Sequence, residues 1–140
     1  MAARVLLRLA AWTGEGAYRD AAEAAMRPIV PFVERYPTGF AQWLGAIDLA
    51  LAPVVEVAIV GDLGDASTEA LLGEVRTGFR PNQVVAVAAD PARSVVPLLA
   101  DRVAIDGRPT AYVCRDFVCR LPVTDPDALR AALVAAMADG

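Results

Sequence analysis

TAYVCRDFVCRL, residues 110–121, decides the architecture of the second half of this chain. Two apolar-rich runs, Thr110 to Cys114 and Phe117 to Leu121, flank a polar corner, which is the pattern of a β-hairpin. A turn centred on Asp116 and Phe117 makes Arg115 and Val118 the hydrogen-bonded closing pair and Cys114 with Cys119 the next, non-hydrogen-bonded pair. Such pairs hold their Cα atoms about 4.5 Å apart, inside the roughly 4.4–6.8 Å that a disulfide accepts. A hairpin here also interrupts the alternation of strands and helices that a parallel doubly wound sheet requires.

Upstream of the hairpin the apolar pattern alternates between two periods. Val54, Val55, Val57, Ala58, Ile59 and Val60 form a β-branched run closed by Gly61-Asp62, the pattern of a buried strand ending in a turn. Asp65 or Ser67 is placed to cap a helix over about Thr68 to Thr77, with Leu71, Leu72 and Val75 facing inward. Val84, Val85, Val87 and Ala88 predict a second strand, and Ser94 to Leu99 a short helix. Downstream, a last helix is expected from Pro126 or Asp127 to Met137. The resulting order over residues 53–140 is β-α-β-α-β-β-α.

The first half, residues 1–52, reads as helical throughout. Val5, Leu6, Leu9 and Trp12 recur at helical spacing before Gly14 and Gly16 end the run. A second helix is expected from Ala17, kinked or restarted at Pro28 and Pro31 and continuing to Tyr36. A third runs from about Phe40 to Leu51 with Phe40, Trp43, Leu44, Ile47 and Leu51 as a wide apolar stripe. These helices are expected to need cover that the following α/β unit is too small to give, either from the rest of a parent protein or by self-association into an oligomer.

Composition removes several function classes. The chain has 140 residues, of which 56% are hydrophobic, and a net charge of -4. An acidic balance of this kind argues against a nucleic-acid partner, which needs clustered cations. No uninterrupted apolar run approaches the ~20 residues that span a bilayer, with Arg4, Arg8, Glu23, Arg27 and Glu34 breaking the helical stretches, so no membrane partner is expected and the location is read as cytoplasmic. There is no histidine, and all 13 basic residues are arginine. A Ser-His-Asp or Cys-His site cannot be built from this chain, nor a histidine-containing zinc site. A Walker-type phosphate loop and Schiff-base chemistry fall with the missing lysine. No catalytic residue, metal or cofactor is expected, and the chain alone reads as a non-enzyme.

What remains for chemistry is cysteine, carboxylate and arginine. Cys114 and Cys119 read either as two buried packing residues, the plainer and preferred account, or as a redox or regulatory disulfide pair. Such a bridge would close a very short loop, and a cytosolic protein usually keeps its thiols reduced. GDLGDAST, residues 61–68, is a strand-to-helix turn whose Asp62 and Asp65 are candidate ligand residues for a sugar, small polyol, cation or divalent metal. Its plainer reading, a turn with a helix cap, is preferred.

The segment IDGRPTAYV, residues 105–113, resembles the stretch before the hairpin in thioredoxins, where a Pro-Thr pair with a cis proline opens the third strand. By that resemblance Pro109 is a candidate cis proline, and the α/β unit is expected to be thioredoxin-like. The place where a thioredoxin carries CxxC reads GDLGDAST here, so the unit lacks that motif. LLRLAAWTGEGAYRDAAEAAM, YPTGFAQWLGAIDLAL, VEVAIVGD and PTAYVCRDFVCRLPVTD together resemble the C-terminal part of the thioredoxin-domain-containing family that includes spermatogenesis-associated proteins, which commonly shows Asn where Asp116 stands. The resemblance implies an N-terminal thioredoxin-like domain and an α/α toroid ahead of this segment, with Ala2 to Leu51 as the last toroid helices. It places no catalytic residue on this chain. The sequence is therefore read as α/β, a helical segment followed by a thioredoxin-like unit, serving as a non-catalytic structural or interaction module of a larger protein.

Overall fold

The computed structural model describes residues 2–138. Four helices lead: α1 (Ala2–Thr13), α2 (Gly16–Met26), α3 (Val30–Arg35) and α4 (Ala41–Leu51). There follow β1 (Val55–Val60), α5 (Ala66–Arg76), β2 (Gln83–Ala88), β3 (Thr110–Arg115), β4 (Val118–Cys119) and α6 (Pro126–Ala138). The chain is thus of the α/β class, with helices ahead of a small mixed sheet.

The strands lie in the order β2-β1-β3-β4. β1 and β2 run parallel, joined by the crossover that contains α5, while β3 runs antiparallel to both β1 and β4. All six residues of β1 are buried, as a central strand covered on both faces must be. On one face Val57 and Ile59 meet Leu71, Leu72 and Val75 of α5 and Leu129 and Leu133 of α6. On the other, Ala58, Val60, Val84 and Tyr112 meet Leu98, Leu99 and the half-buried Ala11 and Trp12 of α1. A third cluster joins Ala3 and Leu7 of α1 to Ala22, Met26, Ala46 and Leu49 of α2 and α4.

The second face explains what becomes of the oily first helix. α1 uses one side against α2 and α4 and its C-terminal turn against the sheet, so the α/β unit does cover it. The apolar residues left outside in the helical half include Val5, Phe32, Tyr36 and Leu51. Phe32 also stacks on Phe40, with ring centroids 6.3 Å apart.

Two local expectations are corrected and one open choice is decided. The helix predicted over Ser94 to Leu99 is replaced by two 3₁₀ turns, Pro91–Arg93 and Pro97–Leu99. Each proline opens a turn but cannot donate the amide that a longer α-helix through it would use. Of the kink or restart expected at Pro28 and Pro31, the restart is what occurs: α2 stops at Met26 and α3 begins at Val30, beyond a turn that contains Pro28. Pro109 is not a cis proline, because no peptide bond among the described residues is cis. The chain reverses just before it, at Asp106 and Gly107, which adopt positive φ of 51° and 69° between the bridged residues Ile105 and Arg108.

Candidate functional site

The hairpin of β3 and β4 has the register read from its sequence. Arg115 pairs with Val118 and Cys114 with Cys119. Asp116 and Phe117 hold φ of 49° and 62°, the backbone of a two-residue turn whose twist matches the strands it joins. The Arg120 amide donates to the Val113 carbonyl at 2.9 Å, and Ala111 exchanges backbone hydrogen bonds with Val123 further down. Cys114 and Cys119 are joined as a disulfide, their Cα atoms 3.9 Å apart and five positions apart in sequence. Cys114 also packs in the core, whereas Cys119 on the edge strand is half-buried. Closing so short a loop removes little freedom from the unfolded chain, about 2 kcal/mol on a chain-entropy argument.

Beside the disulfide stands a residue that the sequence reading passed over. Glu56, on β1, is the cross-strand partner of Cys114 and shares its face of the sheet. It is only 3% exposed. Its Oε2 accepts a hydrogen bond from the Phe117 backbone N–H at 2.9 Å, tying the central strand to the hairpin turn. Burial pushes its pKa above the ordinary 4.5, against the Phe117 hydrogen bond; the nearby Asp116 charge adds to the rise and Arg102 opposes it. The only sequence signal was a lone carboxylate inside VVEVAIV, where every neighbour is apolar.

The hairpin tip docks on the helical half. Gly14 follows α1 with φ +72°, and a Cβ there would come within 3.3 Å of the Phe117 ring. The bare backbone therefore gives Phe117 its seat. Beneath it opens a hollow of about 420 Å³ whose walls include Leu7, Glu15, Arg19, Glu56, Asp116 and Phe117. Arg19 is held across its mouth by a 2.7 Å hydrogen bond to the Ala50 carbonyl and a 3.0 Å contact with Glu23. The hollow mixes an apolar floor with both signs of charge.

Glu56 gives a pH test with a defined sign. Its raised folded pKa means the unfolded chain gives up the proton first, so the stabilising contribution is full below about pH 4.5 and is lost as pH rises through the folded value. Glu56→Gln keeps an acceptor for Phe117 and stays neutral. It is expected to match the parent chain in unfolding free energy at low pH and to exceed it increasingly as pH rises, by about 1.4 kcal/mol for each pH unit between the two pKa values. Urea titrations across pH measure this, and parallel pH profiles for the two chains would contradict it.

The other loop takes a plainer part. Asp65 Oδ1 accepts from the backbone amides of Ser67 and Thr68 at 2.9 and 3.1 Å, so its carboxylate caps α5. Asp65 and Pro109 do meet, lining an open hollow of about 500 Å³ with Ser67, Arg108 and Asp125, but Asp62 does not line it. Among the described residues no three Cys, Asp or Glu side chains gather as a metal site, and no helix is long and apolar enough to cross a membrane.

Comparison with known proteins places this geometry in a wider setting. No protein-family model matches the chain, and no solved structure matches it. Spermatogenesis-associated protein 20 of Homo sapiens and of Rattus norvegicus is each 28% identical over 137 residues, and that of Mus musculus is 27% identical over the same length. Each match covers 95% of this chain and 17% of the relative. Over nearly all its length the chain is thus homologous to spermatogenesis-associated protein 20, and it spans about a sixth of that protein's length.

Proposed function

We propose that this chain is a non-catalytic structural and interaction module, the C-terminal part of a larger protein that carries a thioredoxin-like domain and an α/α toroid. The observation that carries the reading is the span of the homology, nearly all of this chain against 17% of its relatives. On this reading residues 1–52 are the last toroid helices and residues 53–140 a thioredoxin-like unit. The strand order β2-β1-β3-β4, with β3 antiparallel to β1, supports that unit. The start of α5, where a redox motif would stand, carries Asp65, Ala66, Ser67 and Thr68 and no thiol. α1 then acts as the tie between the two parts, since it packs on helices and sheet alike.

The partner that covers the remaining apolar surface is the rest of the parent protein. Phe32 and Tyr36, both more than half exposed, form with Phe40 an aromatic patch on α3 and the turn after it. Exposed aromatic clusters of this kind mark contact surfaces. In isolation the chain is expected to self-associate and to bind an apolar dye. Replacing Phe32 and Tyr36 together by serine is expected to shift sedimentation toward monomer while changing stability by no more than about 0.5 kcal/mol for each site. A clean monomer at high concentration with no dye binding, before any substitution, would count against the module reading.

A further inference from the structure

Three observations converge on the hairpin. Cys119 lies on the edge strand β4 and is half-buried, whereas Cys114 on β3 is 2% exposed. Glu56 is the neighbour of Cys114 across β1, and its carboxylate holds the Phe117 amide in the turn that the disulfide closes. Cys119 Sγ lies 3.8 Å from the carbonyl oxygen of the same Phe117. Side chains opposite one another in an antiparallel pair have Cβ atoms about 4.5–5.5 Å apart. A buried acid, a sulfur–sulfur bond and the turn backbone therefore form one connected cluster.

We propose that Cys114–Cys119 is a reversible thiol–disulfide exchange site for a dithiol reductant, with Glu56 giving and taking the proton of Cys114. One thiolate of the dithiol attacks Cys119 Sγ, the accessible sulfur. A new S–S bond forms to Cys119 as the Cys114–Cys119 bond breaks, and the bonding pair leaves on Cys114 Sγ. The carboxylic acid of Glu56 passes its proton to that thiolate and is recharged from solvent. The second thiolate of the reductant then attacks its own sulfur in the mixed disulfide, forming the reductant's disulfide and releasing Cys119, which takes a proton from water. The protein gains two electrons and two protons, and the dithiol is oxidised. The reverse reaction consumes a small-molecule or protein disulfide.

The surroundings suit each step. Both cysteines, Arg115, Asp116 and Arg120 line a hollow of about 340 Å³, which gives a small thiol room to approach the bridge. A carboxyl buried as Glu56 is keeps its proton to higher pH than an exposed one. Arg102 and Asp116 act on it with opposite signs, and Glu15 and Arg19 stand across the neighbouring hollow from the α1–α2 corner and α2. Loss of the bridge leaves the hairpin held by the Glu56–Phe117 hydrogen bond and the Ala111–Val123 pair. Reduction can therefore occur within the folded chain. This site goes beyond the module reading and does not rest on it.

The test uses the whole chain with dithiothreitol as reductant and glutathione disulfide as the trapping probe, thiols being counted by alkylation and mass spectrometry. Expected results are reversible reduction with circular dichroism unchanged, and trapping at Cys119 in Cys114→Ser at least tenfold faster than at Cys114 in Cys119→Ser. After correction for the thiolate fraction of dithiothreitol, the parent chain is expected to show a further pH step in its reduction rate. Glu56→Gln loses that step and Glu56→Asp, which retains an acid, restores it. Because ionised Glu56 also lowers stability, the rates are set against the unfolding free energies from the urea titrations: a pH step that only follows stability, or a Gln profile the same as the parent's, overturns the proton role. Reduction only after denaturation, or equal trapping at the two cysteines, overturns the exchange site itself.

Discussion

Leu71→Ala is expected to lower the unfolding free energy by about 2–5 kcal/mol, the usual range for deleting a large aliphatic side chain from a packed interior. Leu71 is fully buried on α5 in the cluster that includes Val57 and Ile59 of β1 and Leu129 and Leu133 of α6. It sits in the layer between the sheet and both covering helices, where little can move to fill the space it leaves. Leu63→Ala, at an apolar residue 70% exposed in the loop before α5, serves as control and is expected to fall within about 0.5 kcal/mol of the parent chain. Chemical unfolding followed by circular dichroism separates the two, and equal losses would show that α5 is not packed as described.

Gly61→Ala carries the second large effect. Gly61 ends β1 where the chain passes between α5 and the segment before β3. A Cβ there would collide with the Thr68 hydroxyl and approach Pro109 Cβ to 3.0 Å. Thr68 is fully buried, so the neighbouring helix end has to shift, and overpacking of this kind costs about 1–3 kcal/mol. The Thr68 hydroxyl has no hydrogen-bond partner, so Thr68→Ala forfeits no bond and removes the atom that collides most closely. The double variant Gly61→Ala with Thr68→Ala is therefore expected to recover more than half of the loss, a coupling that two independent sites would not show. Strict additivity in the unfolding free energies would refute the steric account.

The clarity of the hairpin and the obscurity of Glu56 have one physical origin. Strand pairing and helix faces are written in local periodicity, so β1, β2, the hairpin register and α5 with a cap at Asp65 or Ser67 could be read directly from residue order. The same holds for α1, whose apolar spacing is regular. What the spacing does not encode is which surface an amphipathic face meets. That Ala11 and Trp12 turn to the sheet while Leu7 turns to α4 is a tertiary choice, made possible at the hairpin tip by the bare backbone of Gly14. Glu56 was hidden for the same reason, since a carboxylate in a buried strand acquires its meaning only when β3 brings Cys114 and the Phe117 amide beside it. The error at Ser94 to Leu99 was of another kind. Leu98 and Leu99 do face the core, but Pro91 before the segment and Pro97 within it limit the backbone to single turns. At Pro109 the likeness to another family's proline misled, since no peptide bond among the described residues is cis.

The seat of Phe117 on Gly14 joins the end of α1 to a hairpin far along the chain. During synthesis α1 leaves the ribosome long before the hairpin that will lie on it, and its sheet-facing side must wait until β3 and β4 have been translated. Helices α1, α2 and α4 can pair early through contacts close in sequence, but the layer between α1 and the sheet closes late. Contacts so distant along the chain slow folding and leave apolar surface open to wrong partners meanwhile. A ribosome stalled before the hairpin codons would thus display a nascent chain whose Trp12 has no sheet to rest on, the form in which a chaperone would meet it.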